Sequence, residues 1–570
     1  MSIRIGTRAS NLAMWQATAV LNALTSAGLA AEIVPLTSQG DRSLGGQLSA
    51  SVGQFIHSID DRLLSGEIDI AVHSSKDVPV DVDRRIRSLA YLERGVTDDL
   101  VLMRKTDGVP SLEETLAGAS SQSLASILDR FEHGATFGTV SGRRQSFLLS
   151  QRPDIIPLAV RGHVETRLER LLEGRVDAVI LAEVGLKRLD STGALDRLKD
   201  AIGALRIAPQ DWPTAPGQGA VVVHCAAERF DEFQPLQAVL DHPATRANVE
   251  AERRLLQTVG GGCLFPAGIG VVDSQVHIQV SPKNWREIFC QGVPYTMFSF
   301  SGALDGLDLK LPEQSLMEVG QDADGPRFIS TLNSDRISFV LANNGIPMQN
   351  LPVVELSPKF ESWPNTFLEQ YSSKRDWPYL VLTSPFAAKC AVQAAEENPD
   401  IGRIPWIAIG EGTARACFRL GVTVAVCAMA RNAEQLVAYL VENFPTTTTF
   451  LLPRSNLALP YLEEALKDAG FPTQAWIGYQ NVPKTLPTVA VSEEDVLLLS
   501  SASSAVSWAE NRLNVPRDIL CMGENARRTI ASLDHFDGCN LTVLKGPTSQ
   551  ALIRWWNDNR GETHEHQTTN

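Results

Sequence analysis

Several short stretches hold residue types that can do chemistry. GGGCLFP (Gly260–Pro266) places Cys263 directly after three glycines and three residues before a proline. Glycine backbones reach conformations closed to other residues, so the thiol is expected on a loop that a bulky group could approach. IAVHSSKDVP (Ile70–Pro79) runs from an apolar strand into Ser74, Ser75, Lys76 and Asp77 before Pro79 stops it. A carboxylate beside a lysine at a cleft edge suits stabilising a cation or moving a proton. The plain alternative is a polar turn in which Asp77 caps a neighbouring amide. GTVSGRRQ (Gly138–Gln145) sets Arg143 and Arg144 where a helix begins, just after Thr139 and Ser141. Helix N-termini attract anions, and guanidinium forks grip carboxylates through paired hydrogen bonds. VRGHVETRLERL adds Arg161 at a strand end and Arg167 in the next helix, and TRAS repeats the arrangement with Arg8 and Ser10. Solvated surface arginine is the alternative, and it suits Arg170 and Arg175. APGQGA (Ala215–Ala220) is glycine-rich but lacks the lysine of a phosphate cradle, and reads as a crossover between lobes.

The elements that must position these residues read as α/β. Ser2–Gly6, Ala31–Leu36 and Ile68–His73 are expected strands, with helices over Ser10–Ala27, N-capped by Ser10, and Gly53–Ser65. A second cycle follows: strand Ala135–Thr139, a helix around Arg143–Gln151, strand Ile155–Leu158, helix His163–Glu173 and strand Ala178–Leu181. Alternating strands and helices imply parallel sheets, with sites at the strand C-termini. Character changes between about Asn284 and Gly325, and a new α/β cycle begins at Phe328. Two similar passages follow, YLVLTSPFAAK with WIAIGEGTARA and DVLLLSSASSAV with ILCMGENARRT, which points to two Rossmann-like lobes.

Composition sets the bounds. The 570 residues are 44% hydrophobic and 21% charged, an ordinary globular composition with room for roughly three to five domains. No apolar run reaches the roughly eighteen residues of a membrane-spanning helix, and MSIRIGTRAS lacks a signal core, so a cytoplasmic protein is expected. The net charge of −15 disfavours nucleic acid and anionic membrane as partners. The eight cysteines are scattered with no C-x-x-C pair, which argues against a zinc site and a disulfide framework; no metal is expected.

In order along about 270 residues stand RIGTRASNLAMWQ, DIAVHSSKDVPV, GTVSGRRQ, VRGHVETRL, GLKRL, PGQGAVVVHC and GGGCLFPAG. Together they resemble hydroxymethylbilane synthase, also called porphobilinogen deaminase. The resemblance implies a dipyrromethane cofactor attached covalently at Cys263. It also implies Asp77 as the catalytic carboxylate facing pyrrole N–H groups. Lys76, Ser74, Thr139, Ser141, Arg143, Arg144 and Arg188 would hold the cofactor, and Arg8, Ser10, Arg161, Arg167 and Phe55 the substrate. The chain departs from the family in its lysine-free SASVGQFIHS, in a stretch shortened near Leu44–Leu48, and in an apparent insertion at 120–133.

The second half, through VLTSPFAAK, AIGEGTARA, LLPRSN, GYQNVP, LLSSASSAV and MGENARRT, resembles uroporphyrinogen-III synthase. That resemblance implies Tyr479 as the catalytic candidate, with a half-buried packing tyrosine as the alternative. Ser384, Thr413 and Ser501 would bind carboxylates. Asn525 and Ser330–Thr331 depart from the family's pattern.

The two resemblances imply an α/β fold. Two periplasmic-binding-protein-like lobes (1–100 with 205–225, and 101–204) and a small α+β domain (226–320) would be followed by two Rossmann-like lobes (325–357 with 486–560, and 358–485). They imply a monomeric fused enzyme acting on pyrrole and bilane small molecules in consecutive steps. Two alternatives stand beside it: an active deaminase with an inactive C-terminal interaction module, and a non-catalytic two-lobed anion-binding protein.

Overall fold

The computed structural model describes residues 2–36, 45, 54–261, 265–305, 307, 309, 311, 314–315, 325–333, 335–371, 373, 376–487, 489–544 and 548–560. The chain opens with strands β1 (Ile3–Arg8), β2 (Ala31–Leu36), β3 (Ile70–Ser74) and β4 (Ile86–Tyr91). It continues through β5 (Asp99–Arg104), β6 (Ser121–Gln122), β7 (Thr136–Gly138), β8 (Ile156–Leu158), β9 (Ala178–Ala182) and β10 (Ile202–Ile207), then returns as β11 (Val221–Ala226). The first sheet has the order β2-β1-β3-β11-β4 and the second β6-β10-β5-β9-β7-β8. Strand β10 hydrogen-bonds within the second sheet, so the return to the first is made by β11, after Ile207 and not at 205.

Local signals explain these elements. Ser10 caps helix Asn11–Ser26 by accepting from the Ala13 N–H, and Gln16, Ala17, Val20 and Leu24 form its buried face, the spacing of a helix with one apolar stripe. Strands β3 and β9 are apolar almost throughout and buried on both faces, as central strands covered by helices must be. The 120–133 stretch supplies β6 and the short helix Leu124–Leu128, whose Leu124, Ile127 and Leu128 enter the second core; its role here is packing.

A third sheet, β12 (Ala267–Val272), β13 (Gln275–Val280) and β14 (Phe298–Ala303), is antiparallel. Val276, Ile278 and Val280 face helix Pro243–Thr258, with Gln275 and His277 toward solvent, the alternation of a sheet with one wet face.

The remaining strands are β15 (Phe328–Ser330), β16 (Met348–Asn350), β17 (Val354–Pro358), β18 (Tyr379–Leu382), β19 (Trp406–Ala408), β20 (Val426–Cys427), β21 (Phe450–Ser455), β22 (Thr473–Pro483), β23 (Val496–Leu499), β24 (Asp518–Cys521) and β25 (Asn540–Val543). They form an all-parallel sheet β16-β15-β23-β24-β25 and a mixed sheet β17-β22-β21-β18-β19-β20. Strand β17 pairs antiparallel with β22, so residues 354–357 belong to the mixed sheet rather than to the lobe that 325–357 was expected to form.

The halves share a core. One apolar cluster runs from Leu158, Leu168 and Val179 of the second sheet's layer to Leu380, Trp406 and Val422 of the mixed sheet's. Across this seam Gln145 Nε2 donates to Thr423 Oγ1 at 2.9 Å, and the Ala159 N–H donates to the Val424 carbonyl at 2.8 Å. Phe418 lies edge-on to Trp285 and Phe289. Among the described residues no helix is long and apolar enough to cross a membrane.

Candidate active sites

The C-terminal end of β3 turns sharply. Ser75–Asp77 form one 3-10 turn, with Asp77 exposed and Lys76 half-buried. Gly217 allows the 215–220 loop to approach this turn: its φ is +76°, and a Cβ there would lie 2.6 Å from Ser75 Oγ. Gln218, fully buried, accepts from Lys76 Nζ at 3.1 Å. Its amide nitrogen donates to the Thr97 carbonyl and to Asp99. The glycine-rich stretch is therefore a crossover that also braces the lysine.

Helix Gly142–Gln151 begins at the end of β7. Ser141 caps it by accepting from the Arg144 N–H, and Thr139 Oγ1 accepts from the Ser141 N–H. Gly142 through Leu149 are all buried. Arg143 and Arg144 converge on Asp99: Nη2 of each lies 2.6 Å from one of its two oxygens. Arg144 Nε and Trp212 Nε1 donate to the same carboxylate. Burial alone would raise the Asp99 pKa, but Arg144 and Arg143 outweigh it and hold the carboxyl well below its ordinary range. Arg143 also donates to the Pro213 carbonyl and Arg144 to that of Ile180. The two arginines expected to face a ligand are thus engaged largely with an internal carboxylate.

Around them positive charge is crowded. Arg161 is 8% exposed, and burial lowers its pKa. Arg167 donates to the Gly162 carbonyl at 3.0 Å; burial, then Arg144 and Arg161, bring it down to about 10. Burial, followed by Arg144, brings Lys76 down to about 8, although Asp77 and Asp99 act in the opposite direction. Asp77 also acts on Arg167, so residues from the first and second sheets' layers share one electrostatic site. Arg188 donates to the Gly219 carbonyl at 2.8 Å and lies over the Trp15 ring. Arg8 closes β1, half-buried, and Ser74 closes β3. Phe55 lies in helix Gln54–Leu64, but its side chain, Cys263 and residues 50–53 lie outside the described residues.

In the second half Ser384, Thr413 and Ser501 follow the C-termini of β18, β19 and β23, whereas Tyr479 lies within β22. Ser384 follows β18 and caps helix Pro385–Glu397 by accepting from the Ala387 N–H. Its Oγ lies 2.9 Å from the Tyr479 hydroxyl, and Phe386 packs edge-on to the Tyr479 ring. Tyr479 is 7% exposed, and burial raises its pKa. Thr413 is buried in the first turn of helix Glu411–Arg419, after β19. Ser501 caps helix Ala502–Glu510, after β23, through the Ser504 N–H. Thr331 Oγ1 lies 3.1 Å from Ser500 Oγ at the neighbouring strand end. Ser384, Thr413 and Tyr479 belong to the mixed sheet, whereas Ser501 and Thr331 belong to the parallel one. Asn481 Nδ2 reaches across to Ser503 Oγ at 3.2 Å.

Residues 3–232 match the family model described as porphobilinogen deaminase, dipyromethane cofactor binding domain. A porphobilinogen deaminase of Stenotrophomonas maltophilia (strain R551-3) is 39% identical over 269 residues, which are 46% of this chain and 80% of that protein. One of Nitratidesulfovibrio vulgaris (strain DSM 19637 / Miyazaki F) is 37% identical over 266 residues, 46% of this chain and 75% of that one. The chain belongs to the porphobilinogen deaminase family. Residues 335–553 match a second family model, uroporphyrinogen-III synthase HemD, so the chain is a fusion of the two. A uroporphyrinogen-III synthetase crystal structure from Helicobacter pylori 26695 covers 41% of this chain and 100% of its own, at 17% identity and a TM-score of 0.30.

Sequence reasoning missed part of the deaminase half's framework. Asp99 stands in VTDDLVL, a carboxylate at the mouth of an apolar strand, and that placement is the only local signal it carries. Glu252 is fully buried, paired through both oxygens with Arg94, and accepts from the Gly217 and Val271 N–H groups. It ties the 215–220 loop to helix Pro243–Thr258, and its partners lie too far along the chain for any motif to show.

Proposed function

We propose that the chain catalyses two consecutive steps of tetrapyrrole (heme) biosynthesis. The deaminase half condenses four porphobilinogen molecules, with release of ammonia, and water then frees the chain as hydroxymethylbilane, supplying its hydroxyl. The synthase half cyclises hydroxymethylbilane to uroporphyrinogen III with inversion of ring D. The observation that carries this reading is the crowding of Lys76, Arg144, Arg161 and Arg167, whose mutual repulsion and burial depress Lys76 and Arg167. Cations crowded in this way, two buried and two half-buried, are stabilised by an anionic ligand, and each porphobilinogen unit brings two carboxylates.

A dipyrromethane built from two such units carries four carboxylates, and the surplus of cations fits it. Held by a thioether at Cys263, it would supply the free α-carbon from which the oligomer grows. Lys76, Ser74, Thr139, Ser141, Arg144 and Arg188 would hold its carboxylates, with Arg143 fixing Asp99 beneath them. The Ser141 hydroxyl accepts the Arg144 N–H and can still donate its own proton outward. Arg8, Ser10, Arg161, Arg167 and Phe55 would hold the incoming monomer. Each charge-assisted contact contributes about 1.5–3 kcal/mol. In each condensation a C–N bond breaks, a C–C bond forms, and the displaced ring proton leaves with ammonia. Asp77, exposed beside Lys76, stabilises the positive charge that develops on the pyrrole and relays protons at its N–H.

In the synthase half the work is positioning. Burial keeps the Tyr479 hydroxyl protonated, and Ser384 orients it, so it can donate to the departing hydroxyl of the bilane. Thr413 and Ser501 would hold bilane carboxylates. The same reading has the chain working as a cytoplasmic monomer with two periplasmic-binding-protein-like lobes in the deaminase half.

The intact mass of the purified protein tests the first activity. It should exceed the translated mass by two pyrrole units, and Cys263→Ser should lose the excess. A wild-type protein that gains no mass even after incubation with porphobilinogen refutes the reading. Product isomers test the second activity: isomer III is expected, and isomer I alone would show that the synthase half does not act.

A further inference from the structure

Behind the catalytic turn, on the first sheet, lies a group of side chains that the deaminase chemistry does not use. His73 sits on β3 and His224 on the neighbouring antiparallel strand β11, where Val222 pairs with His73 and His224 with Ala71. They are diagonal neighbours, and residues so related share one face of a sheet. Their ring centroids are 5.3 Å apart with the planes tilted by 55°. Asp60, from helix Gln54–Leu64, brings Oδ1 to 3.7 Å from His73 Nε2. One ligand atom from each of the three lies within 4.8 Å of the others. His73 is 6% exposed and His224 1%.

These atoms lack hydrogen-bond partners among the described residues: both ring nitrogens of His224, His73 Nε2 and Asp60 Oδ1. Leaving a buried polar atom unpartnered is costly, so several in one spot call for an occupant. Burial keeps both imidazoles uncharged, with Arg8 acting in the same sense on His73, and His73 and then Arg253 on His224. Each neutral ring offers a lone pair, as does the carboxylate. In the tautomers that turn a ring lone pair inward, a single cation would meet all three donors.

We propose that Asp60, His73 and His224 bind a divalent transition-metal ion, with zinc the best match to two imidazoles and one carboxylate. Zinc takes nitrogen and oxygen ligands at about 2.0–2.2 Å in tetrahedral sites, often three side chains plus water. The ion would pin helix Gln54–Leu64 to the two strands that flank the catalytic turn, a structural role outside the condensation chemistry. The scattered cysteines pointed away from zinc, but the donors here are histidines about 150 residues apart that only strand pairing brings together.

The test loads the full-length protein with zinc, desalts it, and counts bound metal by mass spectrometry against Asp60→Asn and His224→Leu variants. Wild type should hold one equivalent that both variants lose, and its Tm should rise on loading while theirs should not. X-ray absorption of the zinc-loaded wild type should show only nitrogen and oxygen neighbours. Three results would each overturn the site: no retained zinc in wild type, equal zinc in the variants, or sulfur in the first coordination shell. Should these variants fail to fold, His73→Gln takes their place, and one equivalent of zinc retained in it would overturn the site.

Discussion

The two halves build their clefts from different materials. In the deaminase half the candidate groups are charged: Asp77 and Lys76 on one turn, with Arg144, Arg161 and Arg167 opposite, braced from beneath by Asp99 and Gln218. In the synthase half they are hydroxyls at helix N-termini: Ser384, Ser501, the Tyr479 hydroxyl and Thr413. A charged site concentrates its effect in a few groups, because each one sets the field felt by the others at low dielectric. A hydroxyl-and-amide site spreads its effect over many weak donors. The first should therefore fail at single substitutions, whereas the second should erode.

The largest expected effect is at Asp77. Asp77→Ala should leave the fold intact, since the residue is exposed, and lower the rate of ammonia release by about 10²–10³-fold or more. Normal turnover would remove the carboxylate from the mechanism and break the contrast. Next comes Asp99→Asn, which leaves Arg143 and Arg144 buried without their counter-charge. Breaking a buried pair costs about 3–5 kcal/mol, measurable as earlier denaturant unfolding of the deaminase half. The wild-type sign is fixed by a folded-state pKa held well below the ordinary value. Stability from Asp99 is fully present above about pH 4, its unfolded pKa, and is lost only as pH falls through the much lower folded value.

Smaller still is the effect of pH on Lys76, whose folded pKa is about 8. As pH rises through 8 the ammonium is lost, so the stabilisation that the dipyrromethane gives the protein should fall by about 1.5 kcal/mol, one charged contact, measured as the Tm difference between wild type and Cys263→Ser. The sign for folding is opposite: a partly desolvated cation opposes folding below pH 8, and that penalty fades between pH 8 and the ordinary lysine value. In Lys76→Met that fall near pH 8 should vanish. The smallest effect is expected in the synthase half. Tyr479→Phe removes one neutral hydrogen bond, about 0.5–1.5 kcal/mol, and should slow formation of isomer III about two- to tenfold. A loss as large as that of Asp77→Ala would mean the synthase half also depends on a single group.

Legibility followed the same divide. Arg161, Arg167, Lys76 and Asp77 carry charge at strand–helix junctions, a signal visible in single residues. Helix boundaries were equally local: Ser10, Ser141, Ser384 and Ser501 mark helix starts because a capping hydroxyl acts within three residues. Tyr479 was ambiguous in the sequence because a packing tyrosine and a functional one look alike along a strand. Its contact with Ser384, 95 positions away, is visible only in the structure.

By itself the sequence determined the order of elements, the surplus of arginine in the first half and the glycine-flanked thiol. These follow from side-chain periodicity, capping and charge, which act over a few residues. The tertiary structure decided which cation meets which carboxylate. It turned Arg143 inward onto Asp99, set Gln218 beneath Lys76, brought His73 and His224 to one face and seated Phe418 against Trp285 across the halves. The reason is that ion pairs, hydrogen bonds and packing depend on separation in space, and crossover connections between parallel strands bring together residues that the chain keeps far apart.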